Sequence, residues 1–361
     1  MPPPRVEKTG VCFMIETINK TEQLKSIILE DIRNGVYSHE DFPSIRALSK
    51  KYGVCKHTVS QALFSLKEIG ALKVHPGKSG TVNCDLAQKN IAVLYIGMTP
   101  LSQSEFGAEL FRGIEEGIRE TGKYSYNTYS LPEGDSIGSL DENLDRVHTA
   151  GILLVGSDNP YKLSCLKKYK IPFTVVGTSV NDADVSFVAP HMENEVFEEV
   201  DLFVRKGRRK IAFIGNIREG SPSSCEKTNP FFNVLKKNKI KISEKFIKKC
   251  SHLPENGYVQ MKEILEAPEI PDAVFCTSDL LAVGIYRAIH ERKLRIPQDI
   301  AVASCDDLEI AAYLSPSLTT VRMPRYEIGY QSVKQLMAKI SGRRFLLHKI
   351  IPSELILRES I

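Results

Sequence analysis

Seven short apolar runs recur along the last three quarters of this 361-residue chain, and they limit its fold more than any other feature. Residues 91–96, 152–155, 173–176, 185–188, 211–214, 273–276 and 300–303 are nearly continuous in apolar side chains, with stretches of helical periodicity between most of them. A strand that alternates apolar and polar residues keeps one wet face. A strand apolar throughout is buried on both, as in a parallel sheet covered by helices. The chain from residue 90 onward therefore reads as doubly wound α/β, and at about 270 residues it exceeds one ordinary domain, so two similar lobes are expected.

The segment before it follows a different pattern. Leu24, Ile27, Ile28 and Ile32 recur at helical spacing and stop at Asn34-Gly35. Ser44 offers an N-cap for a short second helix through Tyr52, which Gly53 ends, and Val59, Leu63, Leu66 and Ile69 mark one face of a third, closed by Gly70. Residues 72–75 and 80–83 read as two strands around the turn Pro76-Gly77-Lys78-Ser79. Two short helices joined by a tight turn and followed by a hairpin make a winged helix-turn-helix. The expected organisation is an N-terminal extension over 1–19, the winged domain over 20–83, a short linker over 84–89 and the two-lobed region over 90–361.

Charge supports a polyanion partner for the winged segment. The net charge of +4 looks uninformative as a total, but residues 1–90 hold 13 basic and 9 acidic side chains, which leaves 35 of each for the remainder. Within 44–83, Arg46, Lys50, Lys51, Lys56, Lys67, Lys73 and Lys78 stand against Glu68 alone. A solvated basic face is the plain alternative, yet the bias falls on the one segment shaped to enter a DNA groove. The major groove admits one helix, whose N-terminal side chains reach base edges. Here that N-terminus is Cys55-Lys56-His57-Thr58, with Ser60 and Gln61 following, while Gly77 and Lys78 in the wing allow a close backbone approach and a cation for phosphate.

Residues 20–83 resemble the GntR-type winged helix domain, through Phe42-Pro-Ser-Ile-Arg46, Tyr52-Gly-Val54, Thr58-Val-Ser-Gln-Ala62-Leu63, Gly70-Ala-Leu72 and Gly77-Lys-Ser-Gly80. The resemblance implies that Arg46 contacts DNA and that Cys55, Lys56, His57 and Thr58 sit in the groove. Lys56 and Ser60 stand where that family often carries arginine.

The C-terminal part is similar to a second family. Pro271-Asp-Ala-Val-Phe-Cys-Thr-Ser278-Asp279, Ile296-Pro297, Ser304-Cys-Asp306-Asp307 and Leu314-Ser-Pro316-Ser-Leu-Thr319-Thr-Val-Arg322 resemble the effector domain of LacI/GalR regulators. That likeness implies a type I periplasmic-binding-protein-like fold, two lobes crossed three times by the chain and closing on a small ligand. It places a ligand-contacting carboxylate at Asp306, a polar contact at Ser278 and a cation at Lys227, with Phe106 and Arg112 as further pocket candidates. A turn cap at Asp306, a packed Phe106 and a surface Arg112 are the plain alternatives.

The two resemblances together imply an arabinose-repressor-like arrangement: a ligand-responsive regulator, a repressor of sugar-metabolism genes, reading a pseudo-palindromic operator on double-stranded DNA as a homodimer and released by a small sugar-like effector. A GntR-fused, cofactor-dependent enzyme and a sugar receptor without DNA activity are the alternatives. Neither matches the motifs as well. No GxGxxG follows the run ending at Ile96, no GxSxG or HExxH occurs, and the eight cysteines contain no CxxC pair. No cofactor, metal or catalytic residue is expected. The apolar runs are too short to span a bilayer and the first residues lack the apolar core of a signal peptide, so a cytoplasmic location is expected.

Overall fold

The computed structural model describes residues 20–33, 36–37, 42–68, 71–73, 81–82, 89–96, 105–131, 149–218, 220–343 and 348–361. The chain divides into two compact units, Met1–Lys89 and Asn90–Ile361.

In the first unit, α1 (Lys20–Arg33), α2 (Ile45–Tyr52) and α3 (Lys56–Glu68) precede an antiparallel pair, β1 (Leu72–Lys73) and β2 (Thr81–Val82), in the register Leu72 with Val82 and Lys73 with Thr81. Ser44 caps α2, its Oγ accepting from the Ala47 amide at 3.3 Å, and Gly53 ends it at φ +66°, a left-handed conformation that glycine adopts without steric cost. Leu24, Ile28, Leu29, Ile32, Phe42, Leu48, Val59, Ala62, Leu66 and Leu72 form the core. Ile27, expected on the buried face of α1, is 46% exposed, because Leu29 takes the inward position in its place. Ile69, the proposed extension over 1–19, the turn 76–79 and most of the proposed linker lie outside the described residues.

Among the described residues, the second unit contains two six-stranded sheets. The N-lobe sheet runs β13-β7-β6-β5-β3-β4, with β3 (Asn90–Ile96), β4 (Ser125–Leu131), β5 (Thr149–Val155), β6 (Phe173–Val176), β7 (Ser186–His191) and β13 (His348–Pro352), all parallel. The C-lobe sheet runs β14-β12-β11-β10-β8-β9, from β8 (Ile211–Gly215), β9 (Ile247–Lys249), β10 (Ala273–Cys276), β11 (Ala301–Asp306), β12 (Thr319–Arg322) and β14 (Glu354–Ile356). Only the β12–β14 pair of that sheet is antiparallel. All seven apolar runs fall on strands of these sheets. The four edge strands, β4, β13, β9 and β14, carry no apolar run, because an edge strand is not covered on both sides.

Helices α4 (Glu105–Arg119), α5 (Pro160–Lys168) and α11 (Arg325–Ile340) pack on the N-lobe sheet. The C-lobe carries α6 (Glu193–Arg205), α7 (Pro222–Lys237), α8 (Pro254–Leu265), α9 (Asp279–Glu291) and the short α10 (Glu309–Tyr313). The chain passes between lobes after β7, after β12 and between β13 and β14, three crossings as expected. Helices α4 and α11 touch backbone to backbone. A Cβ on Gly113 would lie 2.0 Å from the Tyr326 carbonyl oxygen, and one on Gly329 would lie 2.1 Å from that of Leu110, so only glycine fits at either position.

Candidate functional site

Two sets of side chains carry the chemistry, one in each unit. On the winged unit, burial of Val59, Ala62 and Leu66 turns the opposite side of α3 to solvent. Lys56, His57, Ser60 and Gln61 are exposed there, as are Cys55 just before the helix and Arg46 on the first turn of α2. Thr58 is half-buried, and its hydroxyl lies 3.1 Å from the Cys55 Sγ. That hydroxyl, aided by backbone amides at the helix N-terminus, lowers the Cys55 pKa. Gln61 Oε1 accepts from the Thr21 hydroxyl at 3.4 Å, which ties one end of its amide to α1. Gly77 and Lys78 lie outside the described residues.

One cation of the basic window has a different task from the one its sequence position suggests. Lys51 donates to Asp31 at 2.8 Å and to the Tyr37 hydroxyl at 2.7 Å, and the Tyr52 hydroxyl reaches the same carboxylate at 2.5 Å. This knot pins α2 to α1. Hydrogen bonds from Lys51 and then Tyr52 hold the Asp31 pKa below its ordinary value. Lys51 is thereby tied to α1.

In the second unit, a cavity of about 430 Å³ opens between the lobes. Its wall is built from residues at or just past the C-terminal ends of strands in both sheets: Gly156 after β5, Gly177 and Thr178 after β6, Asn216 after β8, Ser251 and His252 after β9, Thr277 and Ser278 after β10, and Asp306 closing β11. Ligands of open α/β sheets bind at this end of the strands. Phe106, Met192, Leu280, Leu308 and Met323 give it apolar surface.

The sequence candidates Lys227, Asp306, Ser278 and Phe106 converge on this cavity. Lys227 Nζ donates to Asp306 Oδ1 and to the Thr277 carbonyl, each at 2.9 Å. Burial alone would lower the Lys227 pKa, but the Asp306 carboxylate outweighs it and the ammonium is held. Asp306 Oδ2 receives no protein hydrogen bond among the described residues. Ser278 is the N-cap of α9, its Oγ accepting from the Leu280 amide at 3.4 Å, so its hydroxyl proton remains for the cavity. Arg112 does not line the cavity. It lies on the exposed side of α4 with its guanidinium 5.2 Å from the Tyr326 ring centre, because Gly113 and Ile114 occupy the buried side.

Sequence reasoning missed Asn216, Arg218, Ser223, Glu226, His252 and Thr277, all of which line the cavity. Thr277 lies beside Ser278 in the 271–279 segment, whereas no motif flags the other five, which are scattered over separate loops and a helix start; their common signal is a place within the segments that follow strands. Thr277 Oγ1 accepts from the Asn216 amide at 3.2 Å and lies 2.9 Å from His252 Nε2. Burial, and then Lys227, push the His252 pKa down to about 4, so its ring is neutral. Glu226 Oε2 accepts from the Met192 amide at 3.0 Å, at the N-terminus of α6. Behind the wall, the buried Asp279 accepts from Thr320 Oγ1 at 2.8 Å, from the Leu308 amide at 2.6 Å and from the Ser304 hydroxyl. Burial and then the Asp306 charge raise its pKa to about 7. Across the cleft, Ser221 Oγ on the C-lobe donates to Asp158 Oδ2 on the N-lobe at 2.5 Å.

Residues 20–82 match the bacterial regulatory proteins of the gntR family, and residues 200–361 match the periplasmic binding protein-like domain. The chain thus carries a gntR-type winged helix domain followed by a periplasmic binding protein-like domain. The chain is 27% identical over 334 residues to the probable HTH-type transcriptional repressor ExuR of Bacillus subtilis (strain 168), covering 88% of this chain and 98% of that protein. It is 28% identical over 265 residues to the ribose operon repressor of Haemophilus influenzae, covering 72% and 78%. Its fold superposes on the transcriptional regulator CelR–cellobiose complex with a TM-score of 0.68 at 21% identity, covering 88% of this chain and 99% of that one. Among its described residues no helix is long and apolar enough to cross a membrane, and no group of three His, Cys, Asp or Glu is placed to hold a metal ion.

Proposed function

We propose that the chain is a cytoplasmic, homodimeric transcriptional repressor that binds a pseudo-palindromic operator and releases it when an uncharged, sugar-like effector enters the cavity between the lobes. Catalysis is not part of this reading. The observation that carries it is the cavity's chemistry: hydroxyl, amide and imidazole groups surround a Lys227–Asp306 pair, and the cations Arg218 and Lys227 balance the anions Glu226 and Asp306. A neutral polyol suits such a wall, since each hydroxyl both donates and accepts while no unpaired charge is left to neutralise. In this reading Asp306 Oδ2 and the neutral His252 meet ligand hydroxyls, Ser278 donates, Lys227 orients Asp306, and Phe106 covers one face of a sugar ring. Arg46, Lys56, His57, Thr58, Ser60 and Gln61 face the major groove, with Cys55 at its edge and Gly77 and Lys78 of the wing on the backbone.

The effector acts only through unequal affinity for the DNA-binding and released states. The test is fluorescence anisotropy of the intact protein on labelled DNA from its own promoter region, titrated with neutral pentoses, hexoses and disaccharides and with uronic acids. One neutral sugar is expected to weaken DNA binding at least about tenfold, a coupling of about 1.4 kcal/mol. Absence of DNA binding, or release by uronic acids alone, overturns the reading.

A further inference from the structure

Arg325 lies outside both the DNA-facing residues and the cavity lining, yet it stands behind both halves of the cavity wall. It is the first residue of α11, immediately after the second crossing between lobes, and is only 5% exposed. Its guanidinium reaches in three directions. On the N-lobe it meets Glu109 of α4, Nε at 2.9 Å and Nη2 at 2.7 Å from Oε2. Toward the C-lobe, Nη1 donates to the Asp306 carbonyl and Nη2 to the Asp307 carbonyl at 3.3 Å. Its third contact is Phe106, whose ring centre lies 5.7 Å from the guanidinium carbon. Phe106 and Asp306 line the cavity from opposite lobes.

Two features give these contacts a purpose. Asp306 has φ +115°, beyond the left-handed region that Asp adopts readily, and Asp307 follows at φ +51°; two such non-glycine residues in succession are a costly turn that surrounding bonds must hold. The bonds that enforce it include the fork of Arg325 on both carbonyls. The base of that fork is itself fixed: Gly329 lies one turn after Arg325 and seats against Leu110, the neighbour of Glu109, while Gly113 seats against Tyr326, the neighbour of Arg325. Arg325 and Glu109 therefore face each other across a helix contact that cannot slide without a backbone clash.

We propose that Arg325 is a positioning residue that sets the Asp306–Asp307 turn from the N-lobe side, so that the Asp306 carboxylate and the Phe106 ring are presented to one ligand in fixed register. This rests on the effector reading above. Lysine at 325 would keep the charge beside Glu109 but could not span two carbonyls, since only guanidinium supplies parallel donors in a rigid fork.

The test is residue-resolved amide hydrogen exchange on the full ligand-free chain, comparing wild type, R325K and E109Q. Two amides of the turn report on it, because Asp307 N donates to Thr320 Oγ1 and Leu308 N to Asp279 Oδ2. Exchange at both is expected to rise about tenfold or more in R325K. A smaller rise at the same two amides is expected in E109Q, although Glu109 lies on the other lobe and bonds to neither. Amides of β10 should keep their wild-type rates in both variants. Wild-type rates at Asp307 and Leu308 in R325K, wild-type rates there in E109Q, or an equal rise throughout β10 and β11 would each overturn the proposal, the last by showing general loosening. The measurement needs no effector, so failure of every sugar to release DNA would defeat the functional reading while exchange still decides the role of Arg325.

Discussion

The Lys227–Asp306 pair gives a quantitative prediction. Lys227→Met leaves the Asp306 carboxylate, 5% exposed as a residue, without the ammonium 2.9 Å away. Removing one partner of a buried ion pair costs about 3–5 kcal/mol, mostly the penalty of the charge left behind. Asp306→Asn leaves the Lys227 ammonium, which burial disfavours, without its carboxylate, and about 3 kcal/mol is expected. The double variant strands neither charge. Its destabilisation should be smaller than the sum of the singles by at least about 2 kcal/mol. In scanning calorimetry of the intact protein, each single should lower the sensor's melting temperature by about 6–10 °C, at roughly 2 °C per kcal/mol for a unit of this size. Both singles should also lose effector response while keeping operator affinity. Additive single costs, each under about 1 kcal/mol, would refute the assignment of a tightly paired buried charge to the cavity wall.

Four further outcomes are expected. His252 has its pKa depressed to about 4, so as pH falls below the ordinary value near 6.5 the unfolded chain takes up a proton before the folded one. Wild type should therefore lose about 2 kcal/mol relative to His252→Gln between pH 7 and pH 5. Asp279, raised to about 7, acts oppositely: the folded chain takes up the proton first as pH falls, so His252→Gln itself should become more stable on acidification from pH 8 to pH 5, as chemical denaturation would report. Gly113→Ala drives a Cβ to 2.0 Å from a backbone oxygen, and should cost on the order of 3 kcal/mol by calorimetry. Arg46→Ala and Lys56→Ala should weaken operator binding in anisotropy titrations. For each phosphate left without its cation, the slope of log affinity against log salt should become shallower by about 0.9, whereas Lys51→Ala should act mainly on the stability of the winged unit.

What was legible in the sequence follows from what each residue is buried against. Central strands such as β6 and β10 are covered on both faces, and their apolar runs mark them within a residue or two. Edge strands such as β4, written Ser-Tyr-Asn-Thr-Tyr-Ser-Leu, have no such cover and no such run. Ser44 and Gly53 bounded α2 because capping is local chemistry. The cavity was only partly readable. Lys227, Ser278 and Asp306 were carried by family resemblance, whereas His252 and Arg218 become neighbours only when loops after separate strands converge. Arg112 was misplaced because a sequence fixes the helix but not which of its sides meets the cleft. Lys51 belongs to the basic window by position, but only the fold brings it to Asp31, earlier in the chain on α1.

The central claim is that one chain couples a DNA-reading face to a sugar-binding cavity, and linkage requires such coupling to be reciprocal. The most direct measurement is calorimetric sugar affinity of the intact protein, free and saturated with operator DNA, using the sugar that releases DNA most strongly. Sugar binding should be weaker on the operator complex, by the same factor by which that sugar weakens operator binding. Equal sugar affinity with and without operator would contradict the claim.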